Sequence, residues 1–336
     1  MKRLLLLFLL LSTTFCVSQV GGESVFTFLN LPSSARQMSL GGAALTIEND
    51  VDMPMWNPAM IDSTLNNQMS VNYTSYLAGI SLGSVSYVSS INDKLGMFHG
   101  GVQYLDYGSF TRADEFGNII GEFKAFDMAI SFGYAYPIKN TNFTVGANIK
   151  FINSLIDTYT SSGIAADFSV LYKAKDERSM VTFVVRNAGF QLTSYDGTKE
   201  KMPFQMSLGG STQLEHVPLK LYFTLDNLQK WDLSAANPSN EVVDIEGNIS
   251  QEEISELNNA SRHAVFGAEL FPERKFTFRV GYNYRRAKEL SMVNTRTFGG
   301  LSYGFGLKLK SLQFNYALTK FHPESNSSTF SLVVHF

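Results

Sequence analysis

The chain has 336 residues with 27 Phe, 15 Tyr and only 9 Pro, and its 27 basic side chains nearly balance 30 acidic ones, for a net charge of −3. That balance gives no electrostatic case for nucleic acid. The single cysteine, Cys16, excludes a disulfide framework, and its loss with an expected N-terminal signal would also exclude a Cys-built metal or thiol centre.

Residues 1–18 read as a secretory signal. Lys2 and Arg3 form the basic start, 4–11 is the apolar stretch, and Cys16-Val17-Ser18 places cleavage before Gln19. Phe15 is too large for the position before a lipidated Cys. The apolar stretch also falls short of the roughly 20 residues a membrane helix needs. Cleavage removes Lys2, Arg3 and the only Cys, leaving 25 basic against 30 acidic side chains, net −5.

Residues 19–66 differ from everything after them. They hold Gly21-Gly22, Gly41-Gly42, Pro32, Pro54 and Pro58, with few alternating runs and room for one or two helical turns over 34–40. The segment reads as a plug folded into a lumen. The competing reading is a disordered periplasmic tail, against which the Leu, Met, Phe and Trp content argues.

From residue 67 onward the pattern is period-2 alternation. Phe143, Val145, Ala147, Ile149 and Phe151 alternate with Thr144, Gly146, Asn148 and Lys150, and 276–285 and 301–310 repeat the pattern. Fourteen such segments fall near 68–77, 81–91, 95–106, 123–136, 142–154, 164–173, 179–187, 203–213, 218–228, 262–271, 275–285, 297–309, 311–320 and 328–336. The runs over 143–151, 276–285 and 301–310 span about nine to eleven residues, enough to cross a bilayer with tilt, where soluble strands average about five or six. The second face of the segments carries Lys150, Lys220, Asp226, Glu269 and Arg279, a poor sandwich core and a good polar lumen. An even count closes with no free edge. The expected fold is therefore all-β: a 14-stranded antiparallel transmembrane β-barrel over 67–336 with an N-terminal lumenal plug over 19–66. Alternate connections are short; the others, near 107–122, 155–163, 188–202, 229–261, 286–296 and 321–327, are mostly longer, as for periplasmic turns and outer loops.

The loop 229–261 carries seven acidic residues and no Lys or Arg after Lys230, and Ser250 and Glu253 have capping-box spacing. It reads either as a solvated acidic loop or as a docking surface, with Trp231, Asp244, Glu246, Glu252 and Glu253 as candidate contacts. The 244–248 stretch hints at calcium without being an EF-hand loop. At the end of the chain Phe330, Leu332, Val334 and Phe336 alternate with Ser331, Val333 and His335. A last strand ending on Phe resembles the C-terminal signature of bacterial outer-membrane barrels.

Enzyme chemistry finds no footing. Two G-x-S-x-G matches, around Ser81 and Ser302, sit in or beside alternating strands rather than on a strand–turn–helix elbow. There is no S-x-x-K, and the five His residues at 99, 216, 263, 322 and 335 are scattered without metal-ligand spacing. No catalytic residue, metal or cofactor is expected.

The stretch Ser34-Ala35-Arg36-Gln37-Met38-Ser39-Leu40-Gly41-Gly42-Ala43, followed by Asn49-Asp50 and Trp56-Asn57-Pro58-Ala59, resembles the N-terminal region of the FadL/PorV family of outer-membrane barrels. The resemblance implies fourteen strands and a lumenal hatch, with Arg36, Asn57 and Pro58 at hatch positions and Gly41, Gly42, Asp50 and Trp56 beside them. Within the family, 21–32 and Gln68-Met69-Ser70-Val71-Asn72-Tyr73 are similar to the PorQ branch. That implies a non-enzymatic type IX secretion component in the outer membrane of a Bacteroidota-like cell. It would anchor a soluble PorZ-like partner beside PorU- and PorV-type proteins of the attachment complex. The alternative is a FadL-like transporter of small hydrophobic compounds, disfavoured by the polar lumen face but kept open by Phe110, Phe116 and Phe190. A secreted β-rich enzyme is a third reading without a site.

Overall fold

Each alternating run becomes a strand whose Phe, Tyr, Val and Leu side chains point one way and whose Ser, Thr, Asn and charged side chains point the other. The computed structural model describes residues 24–92, 96–233, 242–243, 249–250, 255–291 and 298–336. Residues 1–18, read as a secretory signal, with the expected cleavage position, and Asp244, Glu246, Glu252 and Glu253, lie outside the described residues. The strands are β1 (Gln68–Ser75), β2 (Ser81–Asn92), β3 (Gly96–Ala113), β4 (Ile119–Pro137), β5 (Phe143–Ile156), β6 (Tyr159–Lys173) and β7 (Ser179–Thr193). They continue as β8 (Gln205–Gln213), β9 (Leu219–Leu225), β10 (Ala264–Leu270), β11 (Phe276–Asn283), β12 (Leu301–Lys308), β13 (Leu312–His322) and β14 (Ser325–His335).

These fourteen strands form a closed antiparallel barrel in which every strand pairs with its sequence neighbours. Closure is made by β1 on β14, in register from Gln68↔His335 to Ser75↔Ser328. The outward residues are exposed rings and aliphatics such as Tyr73, Phe132, Ile149, Phe168, Phe278, Tyr303 and Phe330. The inward residues are buried and polar: Ser70, Asn72, Lys150, Asp167, Glu269, Arg279, Asn315 and Ser331. A closed barrel that is apolar outside and polar inside satisfies its backbone internally and leaves lipid as the solvent for its outer face. The protein is an outer-membrane barrel. Phe330, Leu332 and Phe336 are exposed and Val334 half-buried on that outer face.

All fourteen expected strands are present, but three of the expected long loops are not loops. β3 runs to Ala113 and β4 starts at Ile119, so most of 107–122 is strand, held by pairs such as Thr111↔Glu122. Phe110 and Phe123 stack across it with ring centroids 5.2 Å apart, the kind of cross-strand pair that extends a hairpin past the bilayer. β5 and β6 likewise continue to a tight turn at Asp157-Thr158, with Asp157 at φ 56°, and β13 and β14 meet around Pro323-Glu324. Outer connections that remain long are 194–204, 226–263 and 284–300, the last two carrying the short helices α2 (Glu256–Arg262) and α3 (Tyr284–Glu289). The first helix of the chain, α1, spans Ala35–Ser39.

Residues 24–66 are mostly buried, with exposed positions at Thr27, Asn49 and near 62–66. They contain α1 and 3-10 turns at Thr27–Asn30, Met53–Met55, Pro58–Met60 and Ser63–Leu65. Their partners are inward side chains: Ala35 N–H donates to Ser331 Oγ at 2.8 Å, Ala59 N–H to Ser169 Oγ at 2.8 Å, and Gly41 N–H to Ser302 Oγ at 3.0 Å. The close approach needs glycine in the wall. A Cβ on Gly281 would lie 2.0 Å from Gly41 N, and one on Gly146 would lie 2.2 Å from Ala59 N.

Candidate functional site

The candidate site is the contact between residues 24–66 and the inner wall, together with the space left above it. At mid-height α1 ends where Gly41 and Gly42 take φ of 94° and 84°, with Gly42 N–H donating to Gln37 O at 3.0 Å. Such positive φ is cheap for glycine and terminates a helix. α1 presents Arg36 to the wall. Arg36 Nε donates to Glu269 Oε1 at 3.2 Å and Nη2 to Oε2 at 3.0 Å. Glu269 also accepts from Arg279 Nε at 2.7 Å and from Tyr222 OH at 2.9 Å, and is 0 % exposed. Arg36 Nη1 turns back to Glu48 O at 2.7 Å. Burial works against the Arg36 charge, but the Glu269 carboxylate overrides it and holds the guanidinium above its ordinary pKa. Glu48 in turn bonds Lys220, and Lys173 at 3.2 Å; burial opposes its charge, yet the two ammonium groups hold its carboxyl below the usual range.

The third nearest the short turns is built on Asn57-Pro58. Asn57 is fully buried, caps the turn by accepting from Ala59 N–H at 3.2 Å, and donates to Leu45 O at 2.8 Å and Thr182 Oγ1 at 3.1 Å. Pro58 opens that turn. Trp56 lies under the Arg186 guanidinium, 3.6 Å from its ring centroid. Asp50 accepts from Asp52 N–H at 3.0 Å, and Asp52 accepts from Ser70 Oγ and from Asn72 Nδ2 at 2.8 Å. Burial, with Asp50 beside it, pushes the Asp52 carboxyl up to about 7 against those donors. The structure therefore brings Arg36, Gly41, Gly42, Asp50, Trp56, Asn57 and Pro58 together on one segment packed against the wall.

The outer third divides in two. On the β2–β6 side, Val25, Phe26, Phe28 and Leu29 pack with Leu82, Leu105, Ala129, Ile152, Ala165 and Met202. Phe26 sits at φ 54°, uncommon for a bulky residue, and fills the space over Gly163, where a Cβ would lie 2.8 Å from its ring. The role of these rings was invisible in the sequence, although the Leu, Met, Phe and Trp content of 19–66 argued against a disordered tail. On the opposite side is a cavity of about 480 Å³ with mixed walls that include Asn30, Trp56, Tyr76, Asp226 and Arg286. A larger apolar depression of about 650 Å³ lies on the outer wall, over Gly210 and Ala268 and between Phe223, Phe266 and Val280. Those side chains are on the outer, lipid-facing side of the barrel, so the depression is outside the lumen.

Trp231 stands apart from both. It is exposed, stacks on His263 with centroids 5.6 Å apart and donates from Nε1 to Glu256 Oε2 at 3.1 Å. Ser302 of the second G-x-S-x-G match is occupied structurally, accepting from Gly41 N–H and donating to Ser39 O at 3.3 Å. Among the described residues no group of three His, Cys, Asp or Glu is arranged to hold a metal.

No protein-family model matches the sequence, and no curated protein matches it. Solved structures do. The chain is similar to the P. putida toluene transporter TodX, with a TM-score of 0.52 and 11 % identity over 89 % of this chain and 97 % of that one. The TodX monoaromatic hydrocarbon channel deltaS2 mutant gives 0.52 and 14 % over 91 % and 98 %. A Pseudomonas aeruginosa FadL homologue gives 0.49 and 13 % over 90 % and 98 %. At these identities the likeness is one of fold.

Proposed function

We propose that the chain is an outer-membrane channel of FadL type for small hydrophobic compounds, with residues 24–66 as its plug. One observation carries this reading. The barrel matches the TodX toluene transporter over nearly the whole of both chains, and its own N-terminal segment occupies the lumen where a solute would pass. The apolar cluster around Phe26 and Phe28 is the greasy station such a solute needs, held by the chain's own rings until the segment yields. The test is uptake of labelled toluene by cells whose outer leaflet blocks passive entry. Expression of the wild-type chain should raise uptake, and Phe26→Ala with Phe28→Ala should raise it further. No rise with either variant removes the channel.

A second reading is favoured by the tightness of the lumen. Three ion-paired carboxylates, Glu48, Asp167 and Glu269, tie the inside together, which suits a rigid anchor as well as a channel. Under that reading the barrel is a PorQ-like scaffold that holds a PorZ-like soluble partner, beside PorU- and PorV-type proteins, through the outer loop that begins at Trp231. Its support is the resemblance of 21–76. Affinity purification with loop 229–261 shortened tests it: undiminished recovery of a surface partner takes the loop out of the account.

A further inference from the structure

The cavity of about 480 Å³ lies between the 24–43 stretch, the outer ends of β8 and β9, α3, and Phe321 at the end of β13. Its charges are unevenly satisfied. Asp226 accepts from Gln205 Nε2 at 2.7 Å, Ser207 Oγ at 2.7 Å and Asn227 Nδ2 at 3.2 Å, so its carboxylate is saturated from the wall. Arg285 has Glu289 at 3.7 Å on the rim. Arg286 has neither. Its Nη2 reaches only Gly41 O at 3.5 Å, its Nη1 is shielded from solvent with no hydrogen-bond partner, and no carboxylate among the described residues forms an ion pair with it. Its guanidinium lies over the Phe321 ring, 4.5 Å from the centroid, and Tyr76 packs against the same ring at 4.7 Å.

A shielded guanidinium without a counter-charge is costly, and a carboxylate supplies both the charge and the acceptors its free N–H groups need. The wall is mixed, with Asn30, Gln205 and Asp226 on it, but it also carries an apolar set, Leu31, Pro32, Tyr76, Leu290 and Phe321, of which the Phe321 ring lies directly under Arg286. A fully ionic ligand would leave that surface idle, and an uncharged hydrocarbon would leave Arg286 unpaired. The volume is in the range of small-molecule sites. We infer that this cavity is a binding site for a small organic carboxylate with a compact apolar or aromatic body, the carboxylate on Arg286 and the body against Tyr76, Phe321 and Leu31. The inference deepens the channel reading and rests on it for the reason a solute reaches the lumen; the site itself is defined by the side chains.

Trp56 lines the cavity, and Trp231 is the only other tryptophan. Fluorescence of the purified full chain in detergent with Trp231→Phe therefore reads the site. Phenylacetate should perturb Trp56 saturably, and should bind about tenfold more tightly than the neutral isostere phenylacetamide, the worth of one charge-assisted pair. Arg286→Gln should lose about the same factor, Arg286→Lys should recover part of it, and Arg178→Gln, in an exposed pair with Glu215 away from the cavity, should change it less than about twofold. Heat-modifiable gel mobility shows that each variant is folded; if Arg286→Gln is not, the phenylacetate–phenylacetamide ratio on the wild-type site decides alone. No saturable signal, equal binding of acid and amide, or undiminished binding to folded Arg286→Gln overturns the site. Inorganic phosphate binding as tightly as phenylacetate overturns the apolar half of it. Binding without uptake would discard the channel and keep the site, and uptake without binding would do the reverse.

Discussion

Arg36 and Glu269 meet through two parallel hydrogen bonds, 3.2 and 3.0 Å long, that join the N-terminal segment to strand β10. Both side chains are buried, and Arg279 and Tyr222 complete the carboxylate's shell. Removing one partner leaves the other charge stranded. Arg36→Met or Glu269→Gln should each cost about 3 kcal/mol. The double variant should cost less than the two singles summed, because neither charge is then unpaired. Thermal unfolding in detergent measures the cost, and protease cleavage within 24–66 reports whether the segment has come loose.

Gly281 and Gly41 are in backbone contact, so a methyl group at 281 has nowhere to go. Gly281→Ala should destabilise by about 1–3 kcal/mol and raise cleavage within 24–66. Gly100→Ala, on the same barrel with nothing within 4 Å of an added Cβ, should leave cleavage unchanged.

Asp52 makes the seated segment sensitive to pH. With its folded pKa raised to about 7 from an ordinary 3.8, the packed state holds the proton more tightly than the released state. The stabilisation is full below about pH 4 and is lost as pH rises towards 7. Glu48 acts oppositely: its lowered pKa stabilises above its ordinary 4.5 and fails as pH falls below that. Asp52→Asn should flatten the loss between pH 4 and 7, read as segment protection by hydrogen exchange, and leave the acid limb in place. An unchanged neutral limb would refute the assignment.

Ile149 lies mid-way along β5 on the outer face, 51 % exposed. Ile149→Arg should cost about 2–4 kcal/mol if it is at the bilayer midplane, measured by urea unfolding in lipid vesicles. Phe116→Arg, at the tip of the β3–β4 hairpin and 82 % exposed, should cost little by the same measurement.

The barrel was legible because its physics is local: a strand between lipid and lumen must alternate, and every one of the fourteen runs does. Hairpin height was not, since whether 107–122 is loop or strand depends on Phe110 meeting Phe123 across the sheet. Arg36, Asn57 and Pro58 stood out by resemblance, but their partners, Glu269 and Thr182, are 233 and 125 residues away. The wall glycines at 146 and 281 looked like ordinary strand residues until a second backbone was found against them.

Period-2 alternation in long runs, with charged residues on the second face and an even number of runs, made the closed membrane barrel legible in the sequence, because side-chain direction along a strand needs no distant partner. Only the tertiary structure decided what fills the barrel, since inward Ser, Gly, Glu and Arg acquire roles when a particular segment is laid against them. It likewise left Arg286 facing a cavity with no carboxylate ion-paired to it among the described residues. An unmet charge is a property of three-dimensional surroundings and has no signature along the chain.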